Sequence, residues 1–456
     1  MRKYLITIIF VFASVVYSAA QDNPWTLKQC ISHAIDNNIT IKQQELQARL
    51  QENNLEQSKL DLLPSLNGTA TNNWSFGRAL DETTYQFTNE EKVRSNSFYA
   101  SAGLTLFSGL QNINTIKRNQ HDLKASLMDL ENIKDDISLN VALAYLQILL
   151  NKELVEVTNN QLQTTREQID RTAKMVEAGS LPRGNLLDIQ AQAAREEVQL
   201  INNKNQLDLS YLNIVQLLEL DSIGNFEIAE PDLSITNQDI IIGNVNHIFN
   251  TASNTRPDVK SAELRLKSAE YDLKIAKGGR IPRLTMNTTF STGYSSIRQK
   301  ILNIDPVTGI EYGEYPFSDQ LNDNVSYGIG LTLSIPVFNG WQVNTNIRNT
   351  RVNIQNNRYV LENTKKQLYK DIQQAHADAQ ASLKSYNASL KAVESMQESF
   401  RYTEQKFNVG MVTPVEYNTA KAQLLNAESE LAQAKYEYIF KTKVLDFYKG
   451  LPLELK

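Results

Sequence analysis

The chain writes one phrase twice: LTLFSG at residues 104–109 and IPVFNG at residues 335–340. In each, alternating apolar residues run into Phe-x-Gly, and a long polar segment rich in Asn and Gln follows. Aligning Phe107-Ser-Gly109 with Phe338-Asn-Gly340 sets an offset of 231 residues, which holds without a gap as far as Leu200 and Leu431. Gln111 meets Gln342, Ile116 meets Ile347, Leu130-Glu-Asn-x-Lys134 meets Leu361-Glu-Asn-x-Lys365, and Gly179 meets Gly410. Upstream, SKLDLLPSLNGTA and AKGGRIPRLTMNT correspond at a shorter offset, because the loops between differ. The chain therefore reads as one unit written twice, a helix, a strand pair, a long helix, a turn and a helix. The first copy spans residues 21–219, with a hairpin at about 64–107, a long helix at about 110–177 and a tip turn at 178–184. The second spans 244–456, with a hairpin at about 282–338, a long helix at about 341–408 and a tip turn at 409–415. Residues 220–243 link them, broken by Gly and Pro, and are expected to belt the helices midway.

The residues before Phe-x-Gly read as strands. In VSYGIGLTLSI (325–335), Val325, Tyr327, Ile329, Leu331, Leu333 and Ile335 alternate strictly with Ser326, Gly328, Gly330, Thr332 and Ser334. Phe98, Ala100, Ala102, Leu104 and Leu106 alternate in the same way with Tyr99, Ser101, Gly103 and Thr105. Weaker versions occur at 66–76, ending in Trp74 and Phe76, and at 284–294. Period two with one apolar and one small polar face suits a strand between lipid and water, and each stretch is near the roughly 9–11 residues a tilted membrane strand needs. A soluble sandwich shows the same alternation. Long loops at about 77–95 and 295–324, opposite strand ends that enter very long helices, favour a barrel. Four strands cannot close one, and an open edge in hydrocarbon strands its backbone groups, so several chains must pool their strands.

From Ile116 to Val176 an apolar stripe keeps heptad spacing through Leu123, Leu127, Leu130, Ile137, Val141, Ala144, Ile148, Val155, Thr158, Leu162, Ile169 and Thr172, with no proline. At 1.5 Å per residue such a helix is roughly 100 Å long. A second stripe, Leu139, Leu143, Leu146, Leu150, Leu154 and Val157, lies on another face. Two seams imply two neighbours, as in the wall of a tube. The last helix, with Tyr417, Ala420, Leu424, Ala427, Leu431, Ala434, Tyr438 and Leu445, alternates large and small residues in the same style.

The opening MRKYLITIIFVFASVVYSAAQDN reads as an export signal, residues 1–20, cleaved after Ala20. Losing Arg2 and Lys3 takes the formal charge from −5 to −7, which argues against a nucleic-acid partner. The one cysteine, Cys30, allows no internal disulfide, and it lies too far from the cleavage point for an N-terminal lipid anchor. No hydrolase, phosphate-loop or zinc motif appears, and His33, His121, His247 and His376 are scattered. The reading is of a passive, non-enzymatic protein without cofactor or metal.

Taken in order, the entry TLKQCISHAIDNNITIKQQ, the paired Pro-containing strand starts, the Phe-x-Gly strand ends and the helix-turn-helix tips VEAGSLPRGNLLD and FNVGMVTPVEYN resemble the TolC family of outer-membrane efflux proteins. The resemblance implies a mixed α and β membrane protein, internally duplicated and homotrimeric, whose shared 12-stranded transmembrane β-barrel in the outer membrane continues as a periplasmic α-helical barrel. It implies passive export of drugs, small molecules or proteins delivered by an inner-membrane pump through a periplasmic adaptor. It also implies that the tips form the periplasmic end, so Gly179, Leu181, Pro182, Gly410, Val412 and Pro414 are adaptor-contact candidates. Phe107, Gly109, Phe338 and Gly340 mark the strand-helix junctions, where Gly relieves the backbone.

The family's best-known members carry acids six and nine positions after the second tip glycine. Here those positions are Glu416 and Thr419, and their first-copy equivalents are Asn185 and Asp188. One acid per copy remains, so Glu416 and Asp188 are the gate candidates, with pKa values expected to rise through mutual repulsion. The family's basic residue two after that glycine is Val412 here. The loop 295–324 carries Asp305, Glu311, Glu314, Asp319 and Asp323 against Arg298 and Lys300, predicting an acidic outer mouth. A barrel-anchored coiled-coil tether or adhesin is the rival reading.

Overall fold

The computed structural model describes residues 24–81, 83–87, 91–222, 224, 226–231, 233, 243–306 and 308–455. The expected export signal and much of 220–243 lie outside the described residues. In order, the elements are α1 (Leu27–Asn37), α2 (Ile39–Leu60), β1 (Ser65–Gly77), β2 (Glu91–Ser108), α3 (Gln111–Glu177), α4 (Arg183–Leu217), α5 (Val245–Thr255), α6 (Pro257–Gly278), β3 (Arg283–Ser295), β4 (Gln299–Asp305), β5 (Gly309–Glu314), α7 (Phe317–Asp323), β6 (Ser326–Ser334), α8 (Gln342–Asn408) and α9 (Pro414–Tyr448). Helices α1 to α4 have 11, 22, 67 and 35 residues, and α5, α6, α8 and α9 have the same four lengths in the same order. Contacts divide the chain into two units, one of Glu45–Asp129 and Pro257–Thr364, the other of Met1–Gln44, Leu130–Arg256 and Lys365–Lys456.

The first unit contains an antiparallel sheet in the order β1-β2-β3-β6. Its register fixes what each face carries, since directly paired residues share a face. Leu66 pairs with Ala102, Ala70 with Phe98, Trp74 with Arg94 and Phe76 with Lys92. Ala100 pairs with Phe290 and Leu104 with Met286, and these in turn meet Tyr327 and Leu331. The apolar stripes of four separate strands thus merge into one surface, which is open: Leu66 and Phe76 are each 77% exposed and Ile329 is 75% exposed. β1 pairs only with β2 and β6 only with β3, so both outer strands keep a free edge.

Three details depart from the sequence reading. A bulge between Thr105 and Phe107 shifts the register at the end of β2, taking Leu106 out of the alternating series. β6 stops at Ser334, four residues before Phe338, because Pro336 has no N–H for the ladder. The segment 295–324 is built rather than looped, holding the β4-β5 hairpin and α7. There α7 completes the unpaired end of β3: Gln320, almost wholly buried, accepts from the Ser295 N–H (3.0 Å) and donates to its carbonyl (3.1 Å), while Asn324 donates to Gly293 O (2.7 Å). An ion pair between Lys300 and Asp319 (3.8 Å) and a bond from Tyr315 OH to Asp323 (2.7 Å) use some of the predicted charge locally.

Each strand-helix junction uses two consecutive left-handed residues, Gly109-Leu110 (φ 61° and 64°) and Gly340-Trp341 (60° and 66°). The first is packed tightly. A Cβ on Gly109 would lie 2.6 Å from Gly278 O and 2.8 Å from the Ile281 Cβ, whereas one on Gly340 would meet nothing within 4 Å.

The other unit has a core of Leu27, Cys30, Ala34, Val141, Tyr145, Ile148, Ile214, Leu218, Phe226, Ile228, Tyr436 and Ile439. Trp25 joins it by a parallel bridge to Ile228, and the Tyr145 hydroxyl donates to Ala229 O (2.5 Å), satisfying a buried polar group. Burial pushes the Cys30 thiol up to about 12, so it is an unreactive core residue.

The junctions predict an asymmetry between equivalent glycines. Gly340→Ala pays only for its left-handed backbone, about 1 kcal/mol, whereas Gly109→Ala must also displace a backbone carbonyl and costs several times more. Thermal melting midpoints in detergent should fall slightly for the first and sharply for the second, and equal losses would refute the packing argument.

Candidate functional site

The two tips close by the same backbone device. Gly179 (φ 72°) donates to Val176 O (2.9 Å) and Ser180 to Met175 O (2.9 Å). Gly410 (φ 75°) donates to Phe407 O (3.0 Å) and Met411 to Lys406 O (2.8 Å). These nested bonds satisfy carbonyls that a helix end leaves open. A Cβ at either glycine would meet nothing within 4 Å, so glycine is needed for its φ and not for room.

Beyond the glycines the tips differ. Leu181 is half-buried and Pro182, the N-cap of α4, makes no side-chain cap bond. Val412 and Pro414 are half-buried, and Val409, Met411 and Val415 stand exposed beside them. Thr413 caps α9 in a capping box: its Oγ1 accepts from Glu416 N (3.2 Å), and the Glu416 carboxylate accepts from Thr413 N (2.8 Å) and Oγ1 (3.1 Å). The Thr413 backbone and hydroxyl bonds hold the Glu416 carboxyl below its usual range, opposite to the predicted rise. Asp188 is exposed on α4.

Behind the second tip, Tyr417 is buried between Phe407 and Phe400, with ring centroids 4.6 and 5.4 Å away. Arg171 of α3 donates to Asn408 (3.1 Å). Deeper lies a buried ionic relay that periodicity did not indicate. Lys421 of α9, 3% exposed, donates to Thr165 Oγ1 (2.7 Å) and Gln161 O (3.2 Å) on α3. Thr165 donates to the carboxylate of Glu196 on α4, 5% exposed, which also accepts from Gln192 (3.0 Å) and Gln161 (3.3 Å). Burial lowers the Lys421 pKa, opposed by the charges of Glu196 and Glu404. Thr165 belongs to a buried polar seam of α3, Asn151, Thr158, Thr165 and Thr172 at heptad spacing, of which the sequence reading had only Thr158 and Thr172.

The second candidate surface is the face of the sheet opposite the apolar one. It carries Ser65, Asn67, Thr69 and Thr71 of β1, Ser97, Tyr99 and Ser101 of β2, Asn287, Thr289 and Ser291 of β3, and Ser326, Gly328, Gly330 and Thr332 of β6. These groups are neutral hydroxyls and amides, which can wet a pore without selecting for charge. Arg283, at the helix end of this sheet, donates to Thr105 (3.0 Å). Phe107 is 43% exposed and Phe338 81% exposed at the two junctions. Among the described residues no group of three His, Cys, Asp or Glu could hold a metal, and no helix is long and apolar enough to cross a membrane.

The chain thus joins a sheet with one polar and one apolar face, the pattern of a strand between lipid and water, to helices of 67 residues. The chain belongs to the outer membrane efflux protein family, whose model matches residues 30–219 and 248–446. It is an outer-membrane protein. It is 24% identical to the outer membrane protein TolC of Escherichia coli K12 over 311 residues, covering 66% of this chain and 58% of that protein. The chain therefore spans a little over half the length of that relative. The pyoverdine export outer membrane protein OpmQ of Pseudomonas putida is 25% identical over 179 residues, covering 39% of this chain and 37% of that protein. Among solved structures, CusC superposes with a TM-score of 0.76 at 18% identity over 95% of this chain and 96% of that one. The open-state MtrE channel of Neisseria gonorrhoeae gives 0.74 at 16% identity over 94% and 90%. The tether or adhesin reading finds no support in this membership.

The relay predicts unequal mutational costs. Glu196→Gln leaves the buried Lys421 ammonium without its counter-charge and should cost about 3–5 kcal/mol, while Lys421→Met leaves the Glu196 carboxylate still accepting from Thr165, Gln192 and Gln161 and should cost less. The double variant should resemble Lys421→Met in its melting midpoint; additive losses would contradict the coupling.

Proposed function

We propose that this chain is one of three identical subunits of an outer-membrane channel, a passive and non-enzymatic conduit. The observation that carries this reading is the open four-stranded sheet with one apolar and one polar face. Three copies supply twelve strands, the free edge of each β6 meeting the free edge of a neighbouring β1, so that the apolar faces meet lipid and the neutral polar faces line water. The helices continue the pore into the periplasm. There an adaptor protein engages the tips at Gly179, Leu181, Pro182, Gly410, Val412 and Pro414, and an inner-membrane pump delivers drugs, small molecules or proteins.

Unpartnered surfaces support assembly. The first junction seats against the end of α6 within one chain, whereas the equivalent second junction leaves Val337 and Phe338 about twice as exposed as their counterparts Leu106 and Phe107. The residues that correspond to the end of α6 are at the end of α2, where Leu60, Leu62 and Leu63 are also exposed. In the assembly the α2 end of one subunit covers the second junction of the next. On α4, Leu187, Val198, Ile201, Leu209 and Leu212 form a further exposed stripe for a neighbouring helix.

Leu63 and Gly340 are the counterparts of Ile281 and Gly109, which approach closely in the chain. A Leu63→Cys, Gly340→Cys variant should therefore oxidise to covalently linked trimers on non-reducing gels, and purely monomeric product would defeat the proposed packing.

The gate role of Glu416 and Asp188 belongs to the same proposal and is best tested in planar bilayers. Glu416→Gln with Asp188→Asn keeps the capping box while removing charge, so the channel should conduct but lose cation selectivity. Because the Glu416 carboxyl titrates below its ordinary range, the contribution of its charge to wild-type selectivity should persist as pH falls through that range and disappear only below it. Unchanged selectivity in the variant would exclude these carboxylates from the gate.

A further inference from the structure

The β1-β2 hairpin carries a basic and aromatic cluster that conduction does not use. Trp74 pairs with Arg94 and Phe76 with Lys92, so all four side chains share the apolar face. The Lys92 ammonium stands 3.9 Å from the centroid of Trp74 and 5.9 Å from that of Phe76, and the Arg94 guanidinium is 5.5 Å from Trp74. Just beyond the strand, Arg78 lies 5.4 Å from the Phe87 ring. All three cations are exposed, and none pairs with a carboxylate among the described residues.

Their height on the sheet gives the cluster its meaning. From Leu66 to Phe76 the strand advances roughly 33 Å, which at a 45° tilt is about 23 Å, close to the ~25 Å apolar band of a membrane barrel. With Leu66 at the boundary nearer the helices, Trp74, Phe76, Lys92 and Arg94 reach the opposite boundary, where hydrocarbon gives way to headgroups. Cations on a lipid-facing surface at that depth find their counter-charge in the lipid, and the ring faces hold them against the wall by cation–π attraction.

We infer that Lys92 and Arg94, with Arg78 above them, bind the phosphate groups of an anionic lipid in the leaflet opposite the helices. The inference rests on the channel reading, under which that leaflet is the outer one and the ligand is a phosphorylated membrane lipid. Charge complementarity selects phosphate: Arg matches its oxygens with paired N–H donors, and Lys adds a point charge.

Native mass spectrometry of the detergent-purified full chain tests this with three probes: diphosphoryl lipid A, its fully dephosphorylated counterpart and inorganic phosphate. The wild-type protein should retain the diphosphorylated lipid in preference to the dephosphorylated one, and free phosphate should not compete. The Arg78→Gln, Lys92→Gln, Arg94→Gln variant should lose about tenfold of that preference, and the charge-preserving Lys92→Arg, Arg94→Lys variant should keep most of it. If the triple variant fails to fold, Lys92→Gln and Arg94→Gln singly should each lose about threefold. Equal retention of both lipids, a triple variant that binds like wild type, or displacement by inorganic phosphate would overturn the lipid site. Bilayer currents from the same preparations keep the two ideas apart: a conducting protein without lipid preference loses only this site, whereas a protein that never conducts loses the channel reading.

Discussion

The structure depends on where the backbone hydrogen bonds at the edges of one sheet go. β1 and β6 each pair on one side only, and both carry apolar side chains on the face that a hydrocarbon environment would cover. In lipid an unpaired N–H or C=O costs several kcal/mol, so these two edges are the constraint that the proposed assembly answers. The neutral polar face fits the same proposal, in which closure would turn it toward water. Where β3 outruns its partner, the chain solves the edge problem locally, with the amide of Gln320 standing in for a neighbouring strand.

Duplication places two equivalent junctions in one chain. Helix lengths match pairwise between the copies, yet the two junctions meet different surroundings, one packed against Gly278 and the other bare. The bare one leaves Val337 and Phe338 91% and 81% exposed, where their counterparts Leu106 and Phe107 are 47% and 43% exposed. The tips have diverged in a comparable way, sharing a left-handed glycine while only the second has a capping box. Behind that second tip α3, α4 and α9 share a charge relay through Thr165, an arrangement that tolerates one geometry because each member depends on the others for its hydrogen bonds.

Periodicity made much of this architecture legible. Strict alternation located β2 and β6, weaker alternation β1 and β3, and an uninterrupted heptad stripe located α3 almost to its ends. Gly179 and Gly410 were readable because a left-handed residue between two helices leaves few alternatives. What escaped were features set by pairs of residues far apart in the chain. Lys421 and Glu196 look like ordinary solvated helix charges, and only the approach of α3, α4 and α9 buries them. Glu416 was read for its charge, but its position three residues after Thr413 gave a local signal for capping, and the cap reverses the direction of its pKa shift.

The sequence by itself determined the period of each element, its length, the positions of its reversals and the doubling of the whole pattern, because these follow from spacing along one chain. Tertiary structure decided the strand register, and with it the union of four short apolar stripes into one surface and the placement of Lys92 and Arg94 beside Trp74 and Phe76. Slipping one strand by a single residue would preserve every local pattern and destroy that surface, since each side chain would turn to the opposite face. No local preference can supply that information; it comes from the packing of strands that are distant in sequence.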